Sequence, residues 1–244
     1  ATGILQDSIG NDSIPDQEQV LQWSTVALQD FAILSDRPLY FWLTEGEHTI
    51  TLRNWSEEPL YIASVELTQP KQVPTDDEAR SAYAAAGYRE IEGYFRKIQA
   101  ELPALKSSQS IYPTYDRSSP ATEPYDAYNI RRNTIGDGNW SDPGSWISYV
   151  IYDVPEDGLY YITLKYRQHQ MIGTSTFRTI LVNGSVPSEA YQNVAFPYNI
   201  SWKNQTISDE NGQPVAVYLT KGKNEIRLQA TVGQWSEVLR RVEA

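Results

Sequence analysis

Cysteine is missing from the 244 residues, and methionine (1), histidine (2) and phenylalanine (5) are scarce. Without cysteine there are no disulfides and no thiolate metal sites, and the compartment stays open, since a bridge-free secreted bacterial protein fits as well as a cytosolic one. Two histidines leave little for a nucleophile and base pair. His48 falls in a repeated hairpin where Asn224 takes its place, which reads as a tolerant turn position, and His169 has no G-x-S-x-G motif beside it. Neither a histidine cluster nor a D-x-D-x-D-G loop occurs, and Asp137-Gly138 lacks the acidic neighbours of an EF-hand. Basic clusters are missing too. With 31 acidic and 20 basic residues the net charge is −11, so the counterion-release attraction of nucleic-acid binding has no source and an anionic membrane repels the chain. No apolar run approaches a membrane span, and Ala1-Thr2-Gly3 lacks the features of a signal peptide, so the chain reads as mature or as an excised piece.

What the chain has in excess is aromatic residues with a polar handle, 17 Tyr and 7 Trp. Such side chains suit surfaces that are half apolar and half wet, and so an amphipathic ligand. Hydrophobic residues at 40% and charged residues at 21% favour a packed state over disorder. Strand signals dominate: Tyr149 to Tyr152, Leu159 to Leu164 and Arg178 to Val182 are β-branched or aromatic runs, punctuated by Pro155-Glu156-Asp157-Gly158 and Asn183-Gly184. Short strands with polar turns predict an all-β sandwich.

An internal repeat organises the chain. Pro38 to Leu52 matches Pro214 to Leu228 at a constant offset of 176, with Pro38/Pro214, Leu43/Leu219, Thr44/Thr220, Gly46/Gly222, Ile50/Ile226 and Leu52/Leu228 coinciding. In each copy the glycine turns the chain between strands, and the Ile and Leu, two apart, face one core. Residues 1–72 therefore read as the C-terminal half of a first antiparallel β-sandwich, and 94–232 as a complete second one. A half sandwich exposes an apolar face and open edges, so residues 4–69 are expected to lean on the second domain or to pair with another chain.

Between the copies, 73–93 reads as a helical linker. Thr75-Asp76-Asp77-Glu78 is a capping box leading into Ala79 to Ala86, with Gly87 as the stop. Tyr94 to Leu102 alternates poorly and fits either a prolonged helix or, as the favoured reading, the strand that opens the second domain. In 233–244, Trp235, Val238, Leu239 and Val242 carry the stripe of an amphipathic helix that ends early, which reads as a fragment of something larger.

Candidate ligand-binding residues fall in two groups. Asn139, Trp140 and Trp146 lie in a Gly/Asp/Asn loop leading into the Tyr149 strand. An indole beside amide donors suits a pyranose, whose C–H face is apolar and whose rim is hydroxyl; burying roughly 70 Å² of that face is worth about 1.5–2 kcal/mol. Both tryptophans also fit as plugs of the sandwich. Arg167, Gln168, Arg178, Trp202 and Asn204 form the second group, able to hydrogen-bond sugar hydroxyls or a carboxylate. Tyr112, Tyr115, Tyr125 and Tyr128 fit either the lining of a groove or, as the favoured reading, the cover of a long loop that packs on the core. Paired carboxylates for glycoside cleavage stay open, since Asp and Glu are plentiful.

On these residues a resemblance rests. Residues 94 to 232 resemble the galactose-binding-like jelly roll of carbohydrate-binding module families 6 and 35: Ile98 to Glu101 looks like their opening strand, and Trp140 to Tyr149 with Val154 to Tyr160 looks like their Trp-rich loop and hairpin. Tyr166-Arg167-Gln168, Gly173, Ser175, Arg178, Ile180 to Gly184, Trp202 and Pro214 to Leu228 look like the sandwich domains of large extracellular solute-binding lipoproteins of carbohydrate ABC importers from Gram-positive bacteria. Asp7 to Asn11, with Trp23 and Pro38 to Leu52, resembles the second half of their first sandwich. The resemblance implies a non-catalytic module of an extracellular or cell-surface sugar-uptake or glycan-degrading system, with carbohydrate as partner. It also implies a structural Ca²⁺ at Glu101, although Ser64 stands where the first copy's aspartate would be. A spacer or docking module is the alternative, followed by a glycoside hydrolase or lyase fragment.

Overall fold

The computed structural model describes residues 4–28, 38–55, 59–69, 72–233 and 235. In chain order the described residues form α1 (Asp76–Ala85), β1 (Leu105–Lys106), β2 (Pro113–Thr114), β3 (Thr134–Ile135), β4 (Trp146–Val154), β5 (Gly158–Tyr160), β6 (Thr163–Gln168), β7 (Ser175–Val182), β8 (Val194–Pro197), β9 (Asn199–Thr206), β10 (Val217–Leu219) and β11 (Gly222–Thr231).

Period-two burial builds the first layer. In β11 every second residue, Asn224, Ile226, Leu228 and Ala230, is buried. Antiparallel register sets Ile226 between Tyr149 and Val182, and Leu228 between Ile147 and Ile180, so these side chains share one inner face. The sheet runs β1-β4-β11-β7-β8. A second layer of β5 with β10 and β6 with β9 covers it, and Ile207 N–H donating to Ile162 O bridges the break between β5 and β6. The result is an antiparallel β-sandwich. Each buried Ile, Leu or Val contributes roughly 1.5–3 kcal/mol over exposure. Several tyrosines serve this core, their hydroxyls donating to main-chain carbonyls: Tyr149 to Ala100, Tyr160 to Glu156 and Tyr191 to Val215. Part of the tyrosine excess is thus structural.

The turns follow their residues. Asn183 and Gly184 both take positive φ (50° and 83°), as a two-residue hairpin turn requires. At the β10–β11 turn, Asn224 Nδ2 donates to Thr220 O at 2.6 Å while its Oδ1 accepts Thr220 N–H at 3.1 Å. At the repeat-equivalent position, His48 Nε2 donates to Thr44 O at 2.7 Å. Histidine and asparagine thus each reach the carbonyl of the threonine four residues earlier, Thr44 in one copy and Thr220 in the other. Among the described residues, 38–52 nevertheless carry no strand.

The helix forms as its caps dictate. Thr75 and Glu78 close a reciprocal capping box. Gly87 N–H donates to Ala84 O and Tyr88 N–H to Tyr83 O, a Schellman ending around Gly87 at φ 72°. The helix docks on the sandwich. Glu189 N–H donates to Pro74 O, Ala190 N–H to Asp76 Oδ1, Arg80 pairs with Asp209 at 2.6 Å, and Tyr88 stacks on Tyr218 at 4.1 Å. Residues 89–91 then run beside β5, where Gly158 leaves room for Ile91. Gly158→Ala is expected to lower stability by about 1–3 kcal/mol, read as a lower thermal midpoint, because packing beyond the available space strains the core. The added Cβ would stand 2.5 Å from Ile91 Cγ1 and 3.0 Å from the Arg89 carbonyl oxygen.

Ile98 to Glu101 does not pair as a strand. Leu102 N–H donates to Gln99 O and closes a turn there, Pro103 has no N–H to give, and pairing with β4 begins only at β1, Leu105↔Ser148. Residues 5–13 form a turn that docks on the stretch 126–132. Trp23, Trp42 and Trp55 are exposed. Val238, Leu239 and Val242 lie outside the described residues.

Candidate functional site

Alternation along β6 turns Leu164 and Tyr166 to the core, where Tyr166 meets Phe196 edge-on at 4.9 Å, and so turns Lys165 and Arg167 outward. Register sets Asn204 opposite Lys165. Trp202, two residues before Asn204, shares that outward face. Three residues expected from sequence, Arg167, Trp202 and Asn204, thereby come together.

Over this face lies the stretch after β2. Asp116 is buried; its Oδ2 lies 2.7 Å from Arg167 Nη1 and accepts the Trp202 Nε1–H at 3.2 Å, while its Oδ1 accepts Ser118 N–H at 2.5 Å. Arg167 also donates to Ser118 Oγ at 2.8 Å and lies 5.6 Å from the Trp202 ring centre. Burial pushes the Asp116 carboxyl up, but the bonds from Ser118, the Arg167 charge and the Trp202 N–H outweigh it and hold the group below its ordinary value. Asp116 thus stays ionised and fixes both the guanidinium and the indole. Next to Asp116 in the chain, Tyr115 is 49% exposed, with the Arg117 and Arg132 guanidiniums 5.8 and 5.7 Å from its ring centre. Lys165 Nζ donates to Ala121 O. The arrangement offers a held indole beside N–H donors, which suits a ring with an apolar face and a polar rim.

Asp116 and Ser118 were not among the residues expected from sequence. Asp116-Arg117-Ser118 does carry a local signal, an aspartate accepting the N–H two residues on, but nothing local reports its partners on β6 and β9.

The other expected residues lie elsewhere. Trp140 is 8% exposed; its Nε1 donates to Ser145 O at 3.3 Å, and the Arg178 guanidinium covers its ring at 4.1 Å. Arg178 donates to Trp140 O at 2.9 Å and Phe177 O at 2.7 Å, and burial pushes it down to about 10. The expectation of Trp140 as an open platform is corrected: β7 brings Arg178, on the inward side with Ile180, onto the ring, so no pyranose can lie there. Asn139 Nδ2 donates to Tyr112 O at 3.2 Å. Gln168 is inward and spent on its own turn, its amide donating to Met171 O and Thr174 O and its Oε1 accepting from Gln170 and Met171 N–H. Trp146 lies on the outer side of the other layer, with Arg227 4.1 Å over it.

Glu101 is 3% exposed, burial pushes its carboxyl up to about 7, and its Oε2 has no partner. That orphaned oxygen alone would suit a cation. However, Asp12, the other carboxylate of the same cleft, already accepts from Arg131 and from the Arg132 N–H, and both guanidinium side chains line the wall. Among the described residues no three His, Cys, Asp or Glu gather as a ligand set. The donors do not fit Ca²⁺, which takes six to eight oxygens.

No protein-family model and no curated protein matches the chain. Among solved structures it is similar to a Paenibacillus sp. cycloisomaltooligosaccharide glucanotransferase complexed with cycloisomaltoheptaose, at 19% identity and TM-score 0.41, over 65% of this chain and 20% of that one. It is also similar to a family 35 carbohydrate-binding module from Clostridium thermocellum, at 19% identity and TM-score 0.33, over 46% of this chain and 75% of the module. A third is Xyl-CBM35 in complex with a glucuronic acid containing disaccharide, at 20% identity and TM-score 0.31, over 54% of this chain and 82% of that one. The chain spans a fifth of the glucanotransferase's length.

Proposed function

We propose that the chain is a non-catalytic carbohydrate-binding module that holds an oligo- or polysaccharide on the outward face of β6 and β9. One observation carries this reading: buried Asp116 fixes the Trp202 indole and the Arg167 guanidinium side by side on that face. Trp202 supplies the stacking surface, Arg167 and Asn204 the hydrogen bonds, and Tyr115 with Arg117 the rim. Stacking of one sugar face is worth about 1.5–2 kcal/mol. A hydrogen bond to a charged group adds roughly 1.5–3 kcal/mol, and after the cost of association the affinity is of order millimolar or somewhat tighter. By sequence resemblance the proposal extends to an extracellular or cell-surface setting in a Gram-positive bacterium, within a sugar-uptake or glycan-degrading system.

Affinity electrophoresis in soluble xylan, mannan, dextran, pectin and mixed-linkage β-glucan tests this. The wild-type chain is expected to be retarded by at least one polymer, and Trp202→Ala and Arg167→Ala are expected to lose about tenfold or more in affinity for it, with Trp146→Ala unchanged. Wild-type mobility unaffected by all five, or full retardation of Trp202→Ala, would overturn the reading. The exposed indoles of Trp23, Trp42 and Trp55 favour a second reading, a spacer or docking module using protein contacts, which silence across the polymers would support.

A further inference from the structure

The stretch between β2 and β3 carries the rim of the site, and its shape is held by side chains rather than by a ladder. Asn133 is the inner brace: its Oδ1 accepts Asp116 N–H at 2.8 Å, and its Nδ2 donates to the carbonyls of Asp116, Thr122 and Pro124. Just before Asn133 the same stretch is gripped from far upstream. Asp12 Oδ2 accepts Arg132 N–H at 2.9 Å, its Oδ1 accepts Arg131 Nη1 at 3.2 Å, and its own N–H donates to Ile130 O at 2.9 Å. Asn11 Oδ1 accepts Ile130 N–H at 2.8 Å, and Gly10 O accepts from Arg131 at 2.7 Å. Asp12 is itself buried, with Gln6 Nε2 donating to its Oδ1 at 3.1 Å.

A continuous line of bonded neighbours therefore runs from Asp12 through Arg132 and Asn133 to Tyr115 and Asp116, and from Asp116 to Arg167 and Trp202. Arg132 is its bend: its main chain is fixed by Asp12 while its guanidinium lies over Tyr115. A loop without ladder bonds would otherwise sample many conformations, and holding it in one removes an ordering cost from ligand binding.

We propose that Asp12 is a positioning residue for the β6–β9 face: without touching ligand, the docked turn at residues 5–13 sets the stretch that orients Asp116, and through it Trp202 and Arg167. The ligand part rests on the function proposed above; the structural part does not. Loss of Asp12 leaves the Arg132 N–H without its acceptor and removes one of the two carboxylates paired with Arg131, the other being Asp126.

The test compares wild type, Asp12→Ala and Asp12→Asn as full chains. Two readouts are taken: the indole Nε1–H resonance of Trp202, assigned by its loss in Trp202→Ala, and retardation in the polymer of the panel that holds wild type most strongly. Asp12→Ala is expected to move the Trp202 resonance and weaken retardation about tenfold, within the range of coupling through packed networks. Asp12→Asn, which keeps an acceptor for Arg132 N–H, is expected to restore most of both even if the alanine variant folds poorly. An unmoved resonance in both variants overturns the proposal, as does a moved resonance with full retardation. If no polymer retards wild type, the function fails by itself; the resonance then decides the structural part, moved supporting it and unmoved overturning it.

Discussion

Trp140→Ala is expected to lower the free energy of unfolding by about 3–5 kcal/mol, the range for removing a buried tryptophan, while leaving polysaccharide retardation of the folded protein intact. The ring lies under Arg178, which is packed against it at 4.1 Å and donates to the Trp140 carbonyl. Truncation opens a void at the end of the sandwich and strips the ring from a guanidinium whose Nε already has no partner. The remaining charge is then desolvated with less compensation. Urea unfolding at neutral pH, followed by far-UV circular dichroism, measures the loss. A loss under about 1 kcal/mol would place the ring outside the core, against the burial seen here.

The second large effect concerns Asp116. Asp116→Ala is expected to cost about 2–4 kcal/mol, somewhat less than breaking a fully buried ion pair, because the Arg167 side chain retains 20% exposure. The same change frees Trp202 and Arg167 and should abolish retardation. Its stability effect has a defined pH dependence. The Asp116 carboxyl titrates below its ordinary value of 3.8 in the folded chain, so its contribution is complete above that value and disappears as pH falls through the lower folded one. The gap between wild type and Asp116→Ala in urea unfolding is therefore expected to be constant from pH 5 to 8 and to narrow below about pH 4. A gap that widens in acid would contradict the assignment of Asp116 as the ionised partner.

Much of the architecture is legible in the residues because it depends on local periodicity. The runs at Tyr149, Leu159 and Arg178 became β4, β5 with β6, and β7, and the Thr75 to Glu78 box starts a helix with Gly87 at its end. Part of the site was legible in residue type alone: Arg167 and the stretch from Trp202 to Asn204 offer donors and an indole, but the face they share is set by the pairing of β6 with β9, which neither segment announces locally. The rest depends on contacts between distant residues. Whether Trp140 faces water is decided by Arg178 on another strand, and Trp202 is held by an aspartate 86 residues earlier. A loop tryptophan rich in glycine and asparagine neighbours looks open until the strand that covers it is known. Composition misleads in the same way, since the tyrosine hydroxyls that suggest a wet surface also find carbonyls inside.

The docked turn and the docked helix together have a mechanical consequence. Asp12 is fastened near Arg132 and Pro74 is fastened to Glu189, so each is moored on the sandwich through a main-chain N–H. A tug at either mooring is therefore borne by the sandwich itself, at one place through the stretch that leads to Asp116 and at the other through the segment that carries buried Tyr191.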